Sequence, residues 1–162
     1  MTENDNNRLV EILLEDSLNQ RISRDKEHER AVAIYDIIQN NKFSLNDHEL
    51  GPYILILSVI ENRLLFSISE ENGICLKKVQ FPIGAVRSII KDYFTVCESY
   101  FEAVKYASLS KIEAIDMGRR SLHNDGAEIV RSRLLPEIEI DEITSRGLFT
   151  LICALHNGTP RL

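Results

Sequence analysis

Apolar residues in the first half of the chain recur with the spacing of β-strands. Leu9 to Leu14 is a short apolar run, and a longer run extends from Tyr53 to Ile60. From Arg63 to Ser69 apolar and polar positions alternate, which predicts a strand with one dry and one wet face. Cys75 to Phe81 is a fourth segment of strand length. We therefore predict four strands, of which the last three follow one another directly.

Two short polar segments separate the last three strands and predict tight turns. Glu61-Asn62 turns the chain after the second strand, and Asn72-Gly73 turns it after the third. Asn-Gly favours a type I′ turn, in which both central residues have positive φ. The turns predict an antiparallel meander, which the strand at Leu9 to Leu14 joins to make a sheet of about four strands.

The segments outside the sheet have the periodicity of helices. A first helix begins at Asp25, with acids in its first turn where the helix dipole favours them, and ends near Asn40-Asn41. Residues 85–106 carry apolar side chains at repeats of three and four, which predicts a strongly amphipathic helix. Asp141 is expected to cap a last helix that precedes Gly158.

A third helix lies between these two, and its start has two interpretations. Ser108 can cap it, or Ser110 can do so with Glu113 completing a capping box. Its end is set by Pro136, unless the segment at residues 123–126 breaks the helix earlier.

Strands followed by helices predict an α+β fold. A small antiparallel sheet of about four strands, built as a meander, is covered on one face by about four helices. The chain of 162 residues has the length of a single domain spanning residues 1–162. Its polar ends, residues 1–7 and 158–162, are expected to be flexible.

The composition and net charge of the chain mainly argue against certain classes of function. The 19 basic and 25 acidic residues give a net charge of −6, which makes nucleic-acid binding the weakest expectation. Cys75, Cys97 and Cys153 lie far apart in apolar runs and predict buried thiols in a reducing compartment. No targeting signal or bilayer-length apolar run is visible, so we expect a cytoplasmic protein without membrane contact.

The candidate chemistry is confined to one polar stripe. No familiar catalytic or nucleotide-binding motif occurs and the histidines lack metal-ligand spacing, so no catalytic residue, metal or cofactor is predicted. On a helix, Asp116, Arg119, Arg120 and His123 share one face. The guanidiniums could bind a phosphate or carboxylate, and His123 could exchange a proton near neutral pH. In this hypothesis Glu27 or Asp116 orients His123.

The same stripe has a second interpretation, which we favour. Glu113, Asp116 and Arg120 form an exposed ion-pair ladder, a common feature of solvated helix faces. Gly118 within this helix allows either close helix packing or the close approach of a partner backbone, and we favour close helix packing. The segment Glu27-His28-Glu29-Arg30 is interpreted as a charged first turn, because adjacent helical side chains point in different directions.

Four aromatic residues of the amphipathic helix could pack in the core or stack on nucleic-acid bases: Tyr93, Phe94, Tyr100 and Phe101. Stacking surfaces normally carry interleaved basic residues, whereas the neighbours here are Glu98 and Glu102. We therefore predict that these aromatic side chains pack in the core.

Four segments of the chain, at residues 27–38, 91–104, 112–126 and 148–156, read EHERAVAIYDII, KDYFTVCESYFEAV, IEAIDMGRRSLHNDG and LFTLICALH. Together they resemble the uncharacterised protein family 0262 (UPF0262), small alphaproteobacterial proteins of unknown function. The similarity extends roughly from Arg8 to His156, and its long IEAIDMGRR stretch is quite specific. The family more often has Gly at the position of Ser121 and Glu at that of Asp125. The resemblance implies a cytoplasmic bacterial protein and no established activity, cofactor or catalytic residue.

Three functional hypotheses follow. The favoured one is a non-catalytic binding or adaptor module, which holds an unknown protein partner or associates with a second copy of itself. The second is a small enzyme or binding protein for an anionic metabolite that uses the Arg/His/acid stripe. The third is an RNA- or ribosome-associated factor, in which Arg119, Arg120, Arg131 and Arg133 form a basic face. A concave pocket lined by the stripe would favour the second hypothesis.

Overall fold

A computed structural model of the chain describes residues 6–19, 22–47 and 51–158. Its elements, in chain order, are β1 (Leu9–Leu14), α1 (Asp16–Asn19), α2 (Arg24–Gln39), β2 (Phe43–Leu45), β3 (Tyr53–Ile60), β4 (Arg63–Glu70), β5 (Cys75–Phe81), α3 (Arg87–Tyr106), α4 (Leu109–Leu134), β6 (Ile138–Ile140) and α5 (Glu142–Gly158). A short 3₁₀ turn at Ile83–Ala85 leads into α3.

The ends predicted to be flexible fall mostly outside the described residues. Residues 1–5 and 159–162 are not described. Asn7, at the inner end of the first of these segments, is tied to the fold, because its carbonyl accepts a hydrogen bond from the backbone N–H of Phe43 at 2.9 Å. Gly158 is the last residue of α5.

The principal sheet has the strand order β1-β3-β4-β5. Strands β3, β4 and β5 form the predicted antiparallel meander. Strand β1 pairs in parallel with β3, with Ile12 opposite Leu55, so the sheet is mixed. The parallel pairing arises because the chain passes through α1 and α2 before it returns to the sheet. The predicted α+β class is confirmed.

The two turns of the meander differ from the expected pattern. Glu61 and Asn62 have φ values of 52° and 64°, so the pair of positive-φ residues lies between β3 and β4. Between β4 and β5 only Gly73 has positive φ, at 94°, and its N–H donates to the carbonyl of Glu70 at 2.9 Å. The predicted type I′ turn at Asn72-Gly73 is therefore wrong, and a three-residue loop, 71–73, with the positive-φ glycine in its last position closes this hairpin instead.

A second, two-stranded sheet lies outside the sequence-based prediction. β2 and β6 pair antiparallel, with Phe43 opposite Ile140 and Leu45 opposite Ile138. All four side chains are buried. Each strand has only three residues and its partner lies far away in sequence, so neither shows a periodic pattern of its own.

One face of the principal sheet forms the core together with the helices. Leu57 of β3, Phe66 of β4 and Val79 of β5 are paired neighbours on this face and are buried. The same cluster of buried residues includes side chains from α2, α3, α4 and α5, represented by Ile37, Ile90, Val130 and Leu151. Four helices thus contribute to the layer that covers this face.

Hydrogen bonds at the helix starts decide between the predicted caps. The hydroxyl of Ser108 accepts from the N–H of Lys111 at 3.3 Å, so α4 begins there and the alternative cap at Ser110 is wrong. Asp141 caps α5 as predicted, because its carboxylate accepts from the N–H of Thr144 at 2.9 Å.

None of the described helices has both the length and the apolar character needed to cross a membrane.

Arg30 lies in the interior and beyond the first turn of α2, so its interpretation as part of a charged first turn is wrong. Its side chain is 2% exposed. The guanidinium donates to the backbone carbonyl of Leu18, at the end of α1, and to that of Leu155, near the end of α5, the latter at 3.4 Å. Burial lowers the pKa of Arg30. The Arg30 side chain therefore links α2 to the backbones of α1 and α5.

Helix α4 is continuous through residues 123–126, so a break at that segment is excluded. Gly126 faces α5 so closely that a Cβ atom there would lie 2.2 Å from Cε1 of Phe149. At Gly118 no atom lies within 4 Å of the corresponding position. The predicted close packing at Gly118 is therefore wrong, and Gly126 is the glycine of α4 that a close helix contact requires.

The two glycines of α4 provide a matched pair of substitutions. Gly126→Ala should lower the free energy of unfolding by about 1–3 kcal/mol, because the new methyl group overlaps the Phe149 ring. Gly118→Ala should raise it by about 0.5–1 kcal/mol, because alanine favours the helix and meets open space. Urea unfolding midpoints measure both, and effects of the same sign at the two positions would contradict the assigned packing.

Candidate functional site

Asp116 forms ion pairs with two residues of the predicted stripe, Arg119 and Arg120. Its Oδ1 accepts hydrogen bonds from Nε of Arg119 at 3.0 Å and from Nη2 of the same residue. Its Oδ2 lies 2.8 Å from Nη2 of Arg120. The hydrogen bond from Arg119 is the main reason that the pKa of Asp116 is lowered, and the charge of Arg120 adds to it. One carboxylate therefore engages three donor nitrogens of the two guanidiniums.

The two arginines differ in their surroundings. The Arg119 side chain is 34% exposed, and its Cζ lies 4.7 Å from the ring centroid of Tyr100, a cation–π contact between α4 and α3. The Arg120 side chain is 71% exposed. Arg119 therefore helps to hold the two helices together, whereas Arg120 contacts Asp116 from the solvent side.

His123 is directed toward α5. Its Nε2 lies 2.8 Å from Oγ1 of Thr150, and the same hydroxyl is 3.1 Å from the carbonyl oxygen of Arg146, to which it donates. Since a hydroxyl has one proton, His123 is the donor in the first hydrogen bond. The ring also makes an edge contact with Phe149, with centroids 5.1 Å apart. His123 thus joins α4 to α5 through its protonated Nε2.

The environment of His123 favours the neutral imidazole. Burial is the largest cause of its lowered pKa, followed by the positive charges of Arg146 and Arg119. Tyr93 contacts both His123 and Phe149, with centroid distances of 5.5 and 5.9 Å, and burial raises the pKa of this phenol to about 12. His123 and Tyr93 therefore occupy a partly desolvated aromatic contact.

Glu27, the remaining residue of the predicted site, lies elsewhere. Its side chain is exposed in the first turn of α2. The residue that hydrogen-bonds to His123 is Thr150, which sequence reasoning missed. Nothing in the local sequence marks Thr150, because the contact joins residues 27 positions apart on different helices.

A groove of about 650 Å³ opens beside the stripe, between α2, α3 and α5. Its floor is formed by Cys153 and Ala154 of α5. Its walls are the apolar side chains Val32 and Ala33 of α2 and Phe94, Cys97 and Phe101 of α3. We name this feature the α2–α3–α5 groove. Asp116, Arg119, Arg120 and His123 are not among its lining residues, although Thr150 is.

Three carboxylates surround the apolar surface of the groove: Glu29 and Asp36 on α2, and Glu98 on α3. Glu29 has a partner, since its Oε2 lies 3.5 Å from Nζ of Lys26. Asp36 and Glu98 are exposed and form no ion pair within the described part of the chain. The groove therefore combines an apolar surface with a negative rim.

The thiols in the groove do not form a reactive pair of side chains. Cys153 is buried, and burial raises the pKa of its thiol to about 12, with a further contribution from Cys97. A protonated thiol is a poor nucleophile and a poor metal ligand. Of the predicted buried cysteines only Cys153 is buried, while Cys97 is half-buried and Cys75 exposed, and all three are free. Within residues 6–19, 22–47 and 51–158 no cluster of His, Cys, Asp or Glu suited to a metal ion occurs.

Beyond the groove, α3 and α4 continue as a pair of helices that we name the helical arm (residues 95–120). Ala103 is the single buried residue in this range. Exposed apolar side chains are frequent on the arm, namely Phe101, Val104, Tyr106, Leu109 and Met117. The prediction that Phe101 packs in the core is therefore wrong, because 67% of its surface is exposed. An apolar surface of this kind is typical of an interaction site.

These features define an α+β protein with a mixed sheet, an apolar groove between three helices and an exposed helical arm. Comparison with known proteins gives the family. The model of the uncharacterised protein family UPF0262 matches residues 6–158, so the chain belongs to this family. No solved structure matches the chain.

The curated relatives have the same extent as this chain. A UPF0262 protein of Brucella canis is 49% identical over 152 residues, which cover 93% of this chain and 94% of the relative. A UPF0262 protein of Paramagnetospirillum magneticum is 47% identical over 149 residues, covering 92% of this chain and 95% of the relative. The predicted resemblance is confirmed, and the names of these relatives state no activity.

The lowered pKa of His123 predicts how stability depends on pH. Its contribution should be complete above the unfolded-state pKa of about 6.5 and be lost as the pH falls toward the folded-state pKa, because the unfolded chain then binds more protons. His123→Gln should therefore reduce the loss of unfolding free energy between about pH 7 and about pH 5.

Urea unfolding at a series of pH values measures this difference. His156, whose pKa is also lowered by burial, is present in both proteins, so their difference isolates His123. Parallel pH profiles for the two proteins, or an NMR titration of His123 at or above its ordinary pKa, would contradict the assignment.

Proposed function

We propose that this UPF0262 protein is a non-catalytic binding module whose α2–α3–α5 groove holds an amphipathic helix of a protein partner. The observation that carries the proposal is the groove itself, an open apolar cleft of about 650 Å³ between three helices. Grooves lined by helices and apolar side chains commonly bind the apolar face of a helix.

The rim of the groove indicates the charge of the bound helix. Asp36 on one wall and Glu98 on the other lie on opposite sides of the apolar surface. A helix that places an apolar stripe in the groove exposes its flanks to these carboxylates. Basic flanking residues would accelerate association and select the partner, with a weaker effect at high salt.

The titratable side chains near the groove support a role in binding rather than catalysis. His123 donates its Nε2 proton to Thr150, and the thiol of Cys153 stays protonated. Asp116 holds the guanidiniums of Arg119 and Arg120. His123 thus links α4 to α5, and Asp116 engages the two guanidiniums within α4.

A synthetic helix tests the proposal directly. The probe is a fluorescein-labelled peptide of about 18 residues, with leucines at helical spacing on one face and lysines on both flanks. We expect saturable binding to the wild-type protein by fluorescence anisotropy. Val32→Lys, which places a cation on the apolar wall, and Asp36→Lys, which reverses the rim charge, should each weaken binding by about tenfold.

The matched control is Ile74→Lys, which changes another exposed apolar residue, at the β4–β5 turn and outside the groove. It should bind the probe like wild type, and a peptide with glutamates in place of the lysines should bind less tightly. Equal affinities of Val32→Lys and Ile74→Lys for the lysine peptide would refute the groove as the binding site.

A further inference from the structure

We infer that the helix held in the α2–α3–α5 groove is α3 of a second copy of this chain. The two copies form a two-fold homodimer in which their α3 helices pack antiparallel and cross at Phe101. The inference rests on the proposed function, since it names the occupant of the same groove, and it commits to one geometry that can be tested separately.

The first observation is an apolar stripe on α3 that extends beyond the part of α3 packed beside α5. Phe94, Cys97, Phe101 and Val104 follow one another at intervals of three and four, so they lie on one side of the helix. Phe94 and Cys97 are half-buried beside α5, whereas Phe101 and Val104 are 67% and 53% exposed. Toward the C-terminus of α3 the stripe therefore continues, but no other part of the described chain buries it.

The second observation is the small amount of burial within the arm. Residues 95–120 contain one buried side chain, that of Ala103, although α3 stays helical to Tyr106 and α4 is helical from Leu109 onward. Helices in water derive most of their stability from packing of an apolar face. A second copy that covers Phe101 and Val104 would supply this packing to both arms at once.

The third observation is charge complementarity about Phe101. Glu98 precedes Phe101 by three positions and Lys105 follows it by four, so the two charges lie two turns apart on the same edge of α3. Both side chains are exposed and neither forms an ion pair in the described part of the chain. Antiparallel packing about a two-fold axis at Phe101 brings Glu98 of each copy to Lys105 of the other. The exposed Glu102 lies between them on the same edge, so the Glu102 residues of the two copies face each other near the axis, and the two Glu98–Lys105 contacts offset this repulsion.

This geometry satisfies the requirement of an isologous interface, in which residue i contacts residue j and j contacts i. Cys97 of one copy faces Val104 of the other, and the two Phe101 rings meet near the axis. The C-terminal half of each α3 then lies over the half-buried start of the other stripe, where it enters the groove beside Val32. One surface therefore acts as both groove and occupant.

Reciprocal charge reversal tests the inference. Sedimentation velocity should show a dimer for the wild-type protein. Glu98→Lys alone and Lys105→Glu alone each place like charges at both contacts, so each should raise the dimer dissociation constant by about tenfold or more. A 1:1 mixture of these two variants should form heterodimers with nearly wild-type affinity, because each of the two contacts then joins one lysine to one glutamate.

Phe101→Glu is the variant expected to be monomeric, and Met117→Glu is its matched control. Met117 is 71% exposed on α4 of the same arm but lies outside the α3 stripe. Met117→Glu should remain dimeric, and circular dichroism should show equal helix content for the two variants. A monomeric wild type at about 100 μM, a dimeric Phe101→Glu, or a mixture of the charge variants that stays monomeric would each overturn the inference.

The failure of this inference and the failure of the proposed function give different results. If the wild-type protein is monomeric but binds the lysine peptide in a Val32-dependent manner, the groove binds another protein and the homodimer is excluded. If the protein forms a dimer that Glu98→Lys and Lys105→Glu do not weaken, the α3–α3 interface is excluded whatever the peptide does.

Discussion

The contact between Gly126 of α4 and the Phe149 ring of α5 is the constraint on which the helical layer depends. A single methyl group at Gly126 would overlap that ring, at 2.2 Å from Cε1. The ring also makes edge contacts with Tyr93 and His123, at centroid distances of 5.9 and 5.1 Å. One aromatic side chain of α5 therefore sets the positions of α3 and α4, because interiors are packed too densely for such a contact to slide.

The close contact at Gly126, in the C-terminal half of α4, determines which part of this helix joins the core. The C-terminal half of α4 contributes Ala127, Val130 and Leu134 to the core, whereas its N-terminal half follows α3 away from it. Since α2 and α3 both flank α5 without filling the space between them, the α2–α3–α5 groove remains open. The groove and the exposed arm are thus two results of the same helix packing.

The polar stripe at the base of the arm acts mainly within the fold. Asp116, Arg119 and Arg120 form an ion-pair network, and His123 connects α4 with α5. Exposed ion pairs contribute little stability by themselves. Two contacts are partly buried: Arg119 over the Tyr100 ring, and His123 against the Phe149 ring. They contribute more to stability than the exposed ion pairs, because solvent screens them less.

Several features of the fold could be predicted because each is encoded over a few neighbouring residues. The limits of β1, β3 and β5 agree with the apolar runs, and Asp141 caps α5 as its position suggests. The residues of the candidate stripe lie on one helix, α4, where Asp116 contacts both Arg119 and Arg120 at helical spacing. Binding by the stripe stays a prediction, since its surroundings depend on other helices.

Features that join distant parts of the chain were missed or assigned wrongly. The β2–β6 pair, the parallel direction of β1 and the hydrogen bond from His123 to Thr150 have no local pattern. Gly118 and Gly126 are equivalent in sequence terms, yet only the second faces a neighbouring ring.

The sequence by itself determined the family, the periods of its strands and helices, and which face of each is apolar, because those properties follow from neighbouring residues. Only the tertiary structure decided which apolar faces are covered. Phe66 and Phe101 are both aromatic residues in apolar periodic segments, but one is buried and the other is largely exposed. The difference arises because a side chain is buried only where another element of the chain packs over it. The periodicity of a single segment does not show how far its neighbouring elements extend.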